Sequence, residues 1–111
     1  YVFHFDYALP MIKLLGYGAA HCTNSAFTAG IPIKTFLGWF AGKKGELMRD
    51  KVHHYWCNFI ATGDPNGNEE PYWPECGMER NTNFLDVKCH VEKAPFEKER
   101  QAYGVPRPYK N

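Results

Sequence analysis

One residue whose type could do chemistry is His21, although its immediate surroundings alone read as those of an ordinary loop histidine. It stands in LLGYGAAHCTNSAFTAG, Leu14 to Gly30, a stretch of small residues punctuated by Gly16 and Gly18. An imidazole with an ordinary pKa of about 6.5 can accept and return a proton near neutrality. Glycines favour a loop and let backbone approach a site closely. Such an imidazole acts as a general base only toward a nucleophile within hydrogen-bond reach, and the neighbours of His21 do not supply one. Ser25 lacks a Gly-x-Ser-x-Gly setting, and no such motif occurs in the chain. Cys22 adjoins His21, but adjacent side chains rarely orient toward each other productively. Asp6 sits on the strand that precedes the loop, where it could be proposed as an acid.

The remaining donors point away from metals and cofactors. His53 and His54 are neighbours on a helical pattern, so their side chains diverge and cannot hold one ion together; they read as solvated helix histidines. Cys22, Cys57, Cys76 and Cys89 are even in number, which permits disulfides, but no Cys-x-x-Cys pair occurs. Cys89-His90 lacks partners at zinc-ligand spacing. Free, mostly buried thiols are expected, with no metal and no cofactor. Thirteen basic and 12 acidic residues leave a net charge of +1, which gives no electrostatic reason for nucleic acid or an anionic membrane as partner.

The elements that must position His21 follow from periodicity. Tyr1, Phe3, Phe5 and Tyr7 alternate with Val2, His4 and Asp6, which predicts a strand ended by Pro10. Ile33, Phe36, Leu37 and Phe40 predict a first amphipathic helix, opened by Pro32 and closed by Gly42. A longer helix is expected from Gly45 to Thr62, with an apolar stripe of Leu47, Met48, Val52, Tyr55, Trp56, Phe59 and Ile60. Arg49, Asp50, His53 and Asn58 fall mostly outside that stripe, and Asn58 is placed to satisfy backbone near the helix end. Gly63 caps this helix and Asp64-Pro65-Asn66-Gly67 turns the chain. A turn-rich loop to Pro74, a second strand from Asn83 to Val91, a short charged helix from Pro95 to Tyr103 and an irregular tail complete the reading. Hydrophobic residues at 44% and aromatics at 16% argue for a folded chain, with aromatic surface meant to pack against something larger. No apolar run approaches the roughly 20 residues that cross a bilayer, and no signal peptide is visible. The chain starts at Tyr1, directly in strand-like sequence, as a piece of a longer polypeptide would; the compartment stays open between secreted and cytoplasmic.

Three segments, in order, resemble type-B carboxylesterases and cholinesterases. Tyr1-Val2-Phe3-His4-Phe5-Asp6-Tyr7 is similar to the family's aromatic strand. Gly18-Ala19-Ala20-His21 is similar to the loop presenting its catalytic histidine. Tyr55-Trp56-Cys57-Asn58-Phe59-Ile60-Ala61-Thr62-Gly63-Asp64-Pro65-Asn66, followed by Trp73-Pro74, resembles the long W-x-N-F-A-x-T-G-D-P-N…W-P signature. Phe84-Leu85-Asp86-Val87 falls where the family has a late strand. The resemblance covers about residues 1–91, leaving 92–111 as a tail. One departure stands out: Cys22-Thr23-Asn24-Ser25-Ala26-Phe27 follows His21, with Asn24 where an acidic residue is common and no Leu-Pro pair.

The resemblance implies an α/β fold, the C-terminal part of a single α/β-hydrolase domain: strand, histidine loop, two amphipathic helices and late strand. It implies that His21 is the general base of a Ser–acid–His triad acting on small-molecule esters. In this fold the order is serine, acid, histidine, so the missing members would lie upstream, and the partner of residues 1–111 would be the upstream remainder of the same domain. The alternative is a catalytically inactive, cholinesterase-like interaction domain.

Overall fold

Aromatic and β-branched residues at the start of the chain form a strand that runs beside the late one. The computed structural model describes residues 1–19, 22–31, 38–68 and 70–104. Its elements are β1 (Phe3–Phe5), α1 (Pro10–Leu14), α2 (Asn24–Thr28), α3 (Gly38–Thr62), β2 (Asn81–Leu85), β3 (His90–Lys93) and α4 (Glu97–Ala102). The sheet order is β1-β2-β3. β1 and β2 are parallel, with His4 opposite Phe84, so the helices between them form the crossover that parallel strands require. β2 and β3 are antiparallel, with Phe84 opposite His90.

The period-two reading of the first strand holds in the packing. Phe3 meets Trp56 edge-on with centroids 5.1 Å apart, while Phe5 and Tyr7 meet Phe27 at 5.3 and 5.6 Å. On the opposite face His4 lies against Phe84 and Phe96. The core sits between the first of these faces and α3: Met48, Val52 and Tyr55 are fully buried with Leu85, beside Tyr7, Leu9, Phe27 and Trp73. Those three α3 residues follow i, i+4, i+7 spacing and so share one helix face.

Several expectations need correction. The α3 stripe is narrower than its apolar residues suggest, because Leu47, Phe59 and Ile60 are exposed, Ile60 at 79%. The α3 span begins at Gly38 rather than Gly45 and contains a break at Gly42, where φ is 56° and ψ is −173°; the glycine expected to close a helix does interrupt one. Residues 33–37 of the first expected helix lie outside the described residues. Pro10 opens α1 rather than ending a strand, which fits its preference for the first helical position. The expected strand Asn83–Val91 is a hairpin with a turn at residues 86–89. Val87 and Cys89 still pack on the core, so the apolar alternation runs on while the backbone reverses. Lys51 Nζ donates to Val87 O at 2.9 Å and Cys89 Sγ to Asp86 O at 3.2 Å, and together they hold that turn. The charged helix starts at Glu97 behind Phe96, which adopts φ 60°. The cysteines are free, as expected, but not buried: Cys22 and Cys57 are exposed, and Cys76 and Cys89 are half-buried.

Candidate functional site: the histidine loop and its anchors

His21 and Ala20 fall outside the described residues, so the site is built here from the segments that enter and leave it. On the entry side the chain leaves β1, buries Tyr7 and Leu9, and makes the single turn of α1. Lys13 N donates to Leu9 O, Gly16 N to Lys13 O and Tyr17 N to Ile12 O. Gly16 closes that turn at φ 84°, in the left-handed region that glycine adopts without strain. Leu14, Leu15 and Tyr17 are exposed at 65% or more, so an apolar rim borders the loop.

On the exit side Cys22, directly after His21, is held at φ 65°. A side chain with a Cβ pays about 1 kcal/mol or more for that conformation. The Ser25 N–H bond to Cys22 O at 3.1 Å joins this residue to α2. The glycine-rich loop is therefore not all loop: Asn24, the residue at the departure from the family pattern, opens a short helix whose Phe27 is buried. The last turn of α2 is closed by Ala29 N to Ser25 O, Gly30 N to Phe27 O and Ile31 N to Ala26 O.

α2 is fastened to α3 by a residue that sequence reasoning treats as solvated. His53 is half-buried and its Nδ1 lies 3.0 Å from Thr28 O. Gly30 lies flat against the same ring, where a Cβ would come within 2.9 Å of it. No sequence signal marks this role, because it depends on a helix hidden inside a stretch of small residues. His54 faces another way, its Nδ1 3.3 Å from Glu70 Oε1, so the expected divergence of the pair holds. Asp6 is exposed, with its N–H bonded to Leu85 O. Among the described residues no group of three or more His, Cys, Asp or Glu side chains could hold a metal, and no helix is long and apolar enough to cross a membrane.

The strongest sequence signature builds a clamp. Asp64 Oδ1 accepts bonds from Asn66 N (2.9 Å), Asn66 Nδ2 (2.7 Å) and the Tyr1 hydroxyl (3.3 Å). Those bonds hold the Asp64 carboxyl below its usual range, the Asn66 backbone N–H most strongly. Asn66 in turn pairs with the Trp73 backbone in both directions, accepting from N at 2.6 Å and donating to O at 2.9 Å. Trp73 Nε1 donates to Val2 O at 3.1 Å, tying the clamp to β1. Asn58 Nδ2 donates to Pro65 O, as its place near the helix end suggests. Tyr1, Phe3, Tyr55, Trp56, Phe59, Pro65 and Trp73 line an apolar cavity of about 170 Å³ beside it. Burial lifts the Tyr55 hydroxyl above the ordinary tyrosine range while it donates to Pro71 O at 2.6 Å. These groups are spent on structure.

A model described as the carboxylesterase family matches residues 1–104. Carboxylesterase 4A of Bos taurus is 30% identical over 93 residues, covering 82% of this chain and 16% of that protein. The medium-chain fatty acyl-CoA hydrolase precursor of Anas platyrhynchos is 31% identical over 83 residues, covering 75% of this chain and 14% of that one. Among solved structures, the carboxylesterase EST55 of Geobacillus stearothermophilus superposes with a TM-score of 0.74 at 29% identity, covering 93% of this chain and 21% of that one. The chain thus spans less than a quarter of the length of these relatives. Its small mixed α/β sheet is the corresponding portion of an α/β-hydrolase fold, and the chain belongs to the carboxylesterase family.

Proposed function

We propose that this chain supplies the general base of a serine carboxylic-ester hydrolase, with His21 as that base and the serine and acid lying upstream in the same polypeptide. The observation that carries the proposal is the place of His21 in the sequence. It falls between Gly18-Ala19 and a residue at φ 65°, in the connection that follows β1, inside a chain of the carboxylesterase family. A loop after a strand of the sheet is where an α/β-hydrolase offers its histidine.

The chemistry follows from that placement. The imidazole takes the serine proton as the oxygen attacks the ester carbonyl, then returns it to the departing alcohol. A carboxylate on the other ring nitrogen fixes the tautomer and stabilises the imidazolium. Neither the serine in its Gly-x-Ser-x-Gly turn nor that acid is in residues 1–111, so these residues alone have no turnover. The shape of the sheet supports a missing neighbour: β1 is at the edge of the order β1-β2-β3, so among the described residues one side of it carries no strand. An edge with unpaired backbone groups is a template for another strand. The exposed Leu14, Leu15, Tyr17, Phe59 and Ile60 supply apolar surface for the rest of a domain to cover.

The test is turnover of p-nitrophenyl esters. Residues 1–111 alone should give none above buffer. The full-length polypeptide should turn over, and His21→Gln should lower its kcat by roughly 10⁴-fold. Full activity in the His21→Gln polypeptide would overturn the assignment. A full-length polypeptide that neither turns over esters nor reacts with a fluorophosphonate would overturn the enzyme reading itself.

A further inference from the structure

We infer that His53 is a positioning residue for the histidine loop, fixing the C-terminal end of α2 and, through it, the backbone that leaves His21. The inference rests on the ester-hydrolase reading above. α2 has five residues, far too few to hold its shape by its own hydrogen bonds. Something outside it must keep it helical and in place, and three contacts do so. Phe27 is buried against Phe5 and Tyr7. Thr28 O, at the helix end where backbone carbonyls lack helical partners, meets His53 Nδ1 at 3.0 Å. Gly30 rests against the imidazole so closely that any side chain there would strike it, at a φ of +65° that also favours glycine.

The direction of the bond follows from elementary chemistry. A carbonyl oxygen can only accept, so Nδ1 carries the hydrogen. That hydrogen is present in the Nδ1–H tautomer and in the imidazolium alike, so the anchor survives protonation of the ring. Cys57, one turn along α3, packs its sulfur 3.4 Å from Nε2 and 3.9 Å from Nδ1, so the ring is flanked on that side too.

The far end of the unit is Cys22, bonded through its carbonyl to Ser25 N. Residues 22–30 therefore form one short lever from the residue that follows His21 in sequence to the anchor at His53. Releasing the anchored end lets the lever shift, and a displacement of about 1 Å at reacting groups can cost about 10²-fold in rate.

Two substitutions in the full-length polypeptide separate anchoring from bulk. His53→Asn puts an amide N–H near the position of Nδ1 and keeps the donor. His53→Leu keeps comparable volume and has no donor. The expected result is a fall in kcat of about 10- to 100-fold for His53→Leu with KM within about threefold, and recovery to within about threefold of the parent for His53→Asn. A readout that needs no turnover is hydrogen exchange in the same proteins. Exchange at Ala29, Gly30 and Ile31 should quicken at least about tenfold in His53→Leu alone, with Gly63 at the end of α3 unchanged. Unchanged kcat in His53→Leu, unchanged exchange at residues 29–31, or failure of His53→Asn to restore both would each overturn the inference. If His21→Gln leaves activity intact, the assignment of His21 as the base falls instead, and the exchange comparison still decides whether His53 anchors α2.

Discussion

The clamp after α3 and the loop around His21 belong to the same small structure and are held by opposite means. In the clamp, Asp64, Asn66 and Trp73 are within a dozen residues of one another, and their polar groups are paired over that short stretch, with Tyr1 and Val2 as the distant partners among the described residues. Around the loop, the anchors come from far along the chain: Phe27 meets Phe5 of β1 and Tyr7 just after it, and Thr28 meets His53, 25 positions away. The clamp also has the more recognisable sequence, and yet its polar groups are paired with backbone and with one another. A long signature can record what a backbone turn demands, through a glycine cap, a proline and side chains that bond main chain. The residue proposed to carry the chemistry sits where the local sequence demands least.

The largest expected effects test that contrast directly. Trp73→Ala removes a buried ring, its edge-on contacts with Tyr55 and Phe3, and the bond to Val2 O. It should cost about 3–5 kcal/mol of global stability in denaturant unfolding. Phe27 is as deeply buried, but its truncation should act locally. Phe27→Ala should raise exchange across residues 22–31 well before it moves the global midpoint. Equal losses of global stability in the two variants would break the comparison, because the loop and the clamp would then form one cooperative unit.

The same contrast explains what the sequence made legible. The end of α3 and the turn after it were readable because Gly63, Asp64, Pro65 and Asn66 each act on their own backbone or that of near neighbours. The first strand was readable because its alternation turns Phe3, Phe5 and Tyr7 to one face, against Trp56 and Phe27. The helices α1 and α2 were not: each is five residues long, shorter than the window in which a 3.6-residue period shows, and glycines nearby argue for loop. The hairpin turn at residues 86–89 escaped because it carries neither glycine nor proline; it is fixed by Lys51 from α3. The breadth of the α3 stripe misled for a different reason. Leu47, Phe59 and Ile60 are apolar yet exposed among the described residues, so the pattern reports a larger core than those residues contain. His53 could not be found at all, since its partner Thr28 is assigned to a loop until α2 is seen. His21 itself was legible only through its flanking motifs, and its own geometry is outside the described residues.

A mid-sized effect sharpens the account of the clamp. Asn66→Ala leaves both backbone groups of Trp73 without their side-chain partner and strips Asp64 Oδ1 of one donor. The loss should be about 1–3 kcal/mol, again by denaturant unfolding. Asn66→Asp keeps the acceptor for Trp73 N but replaces the donor with a second charge beside Asp64, and should recover little of it. Recovery to parental stability would mean that the donation to Trp73 O contributes nothing and the clamp is looser than its distances suggest.

The smallest effect is the one in which the two regions differ in kind. The Asp64 carboxyl is lowered in the folded state, first by the Asn66 backbone N–H, then by the Asn66 side chain and the Tyr1 hydroxyl, against an opposing cost of desolvation. A group lowered on folding contributes stability that is present above its unfolded value, about 3.9, and is lost as pH falls through the folded value. The clamp should therefore weaken on acidification within that window, and Asp64→Asn should flatten this part of the pH profile of unfolding. The group is solvent-exposed, so the change should be slight and should shrink with added salt. The anchor of α2 should show no matching dependence, because the bond between His53 Nδ1 and Thr28 O contains no carboxylate. Exchange at residues 29–31 measured against exchange near residue 66 across the acid range separates the two. Parallel loss of protection in both places would mean that α2 follows the clamp and is not independently held by His53.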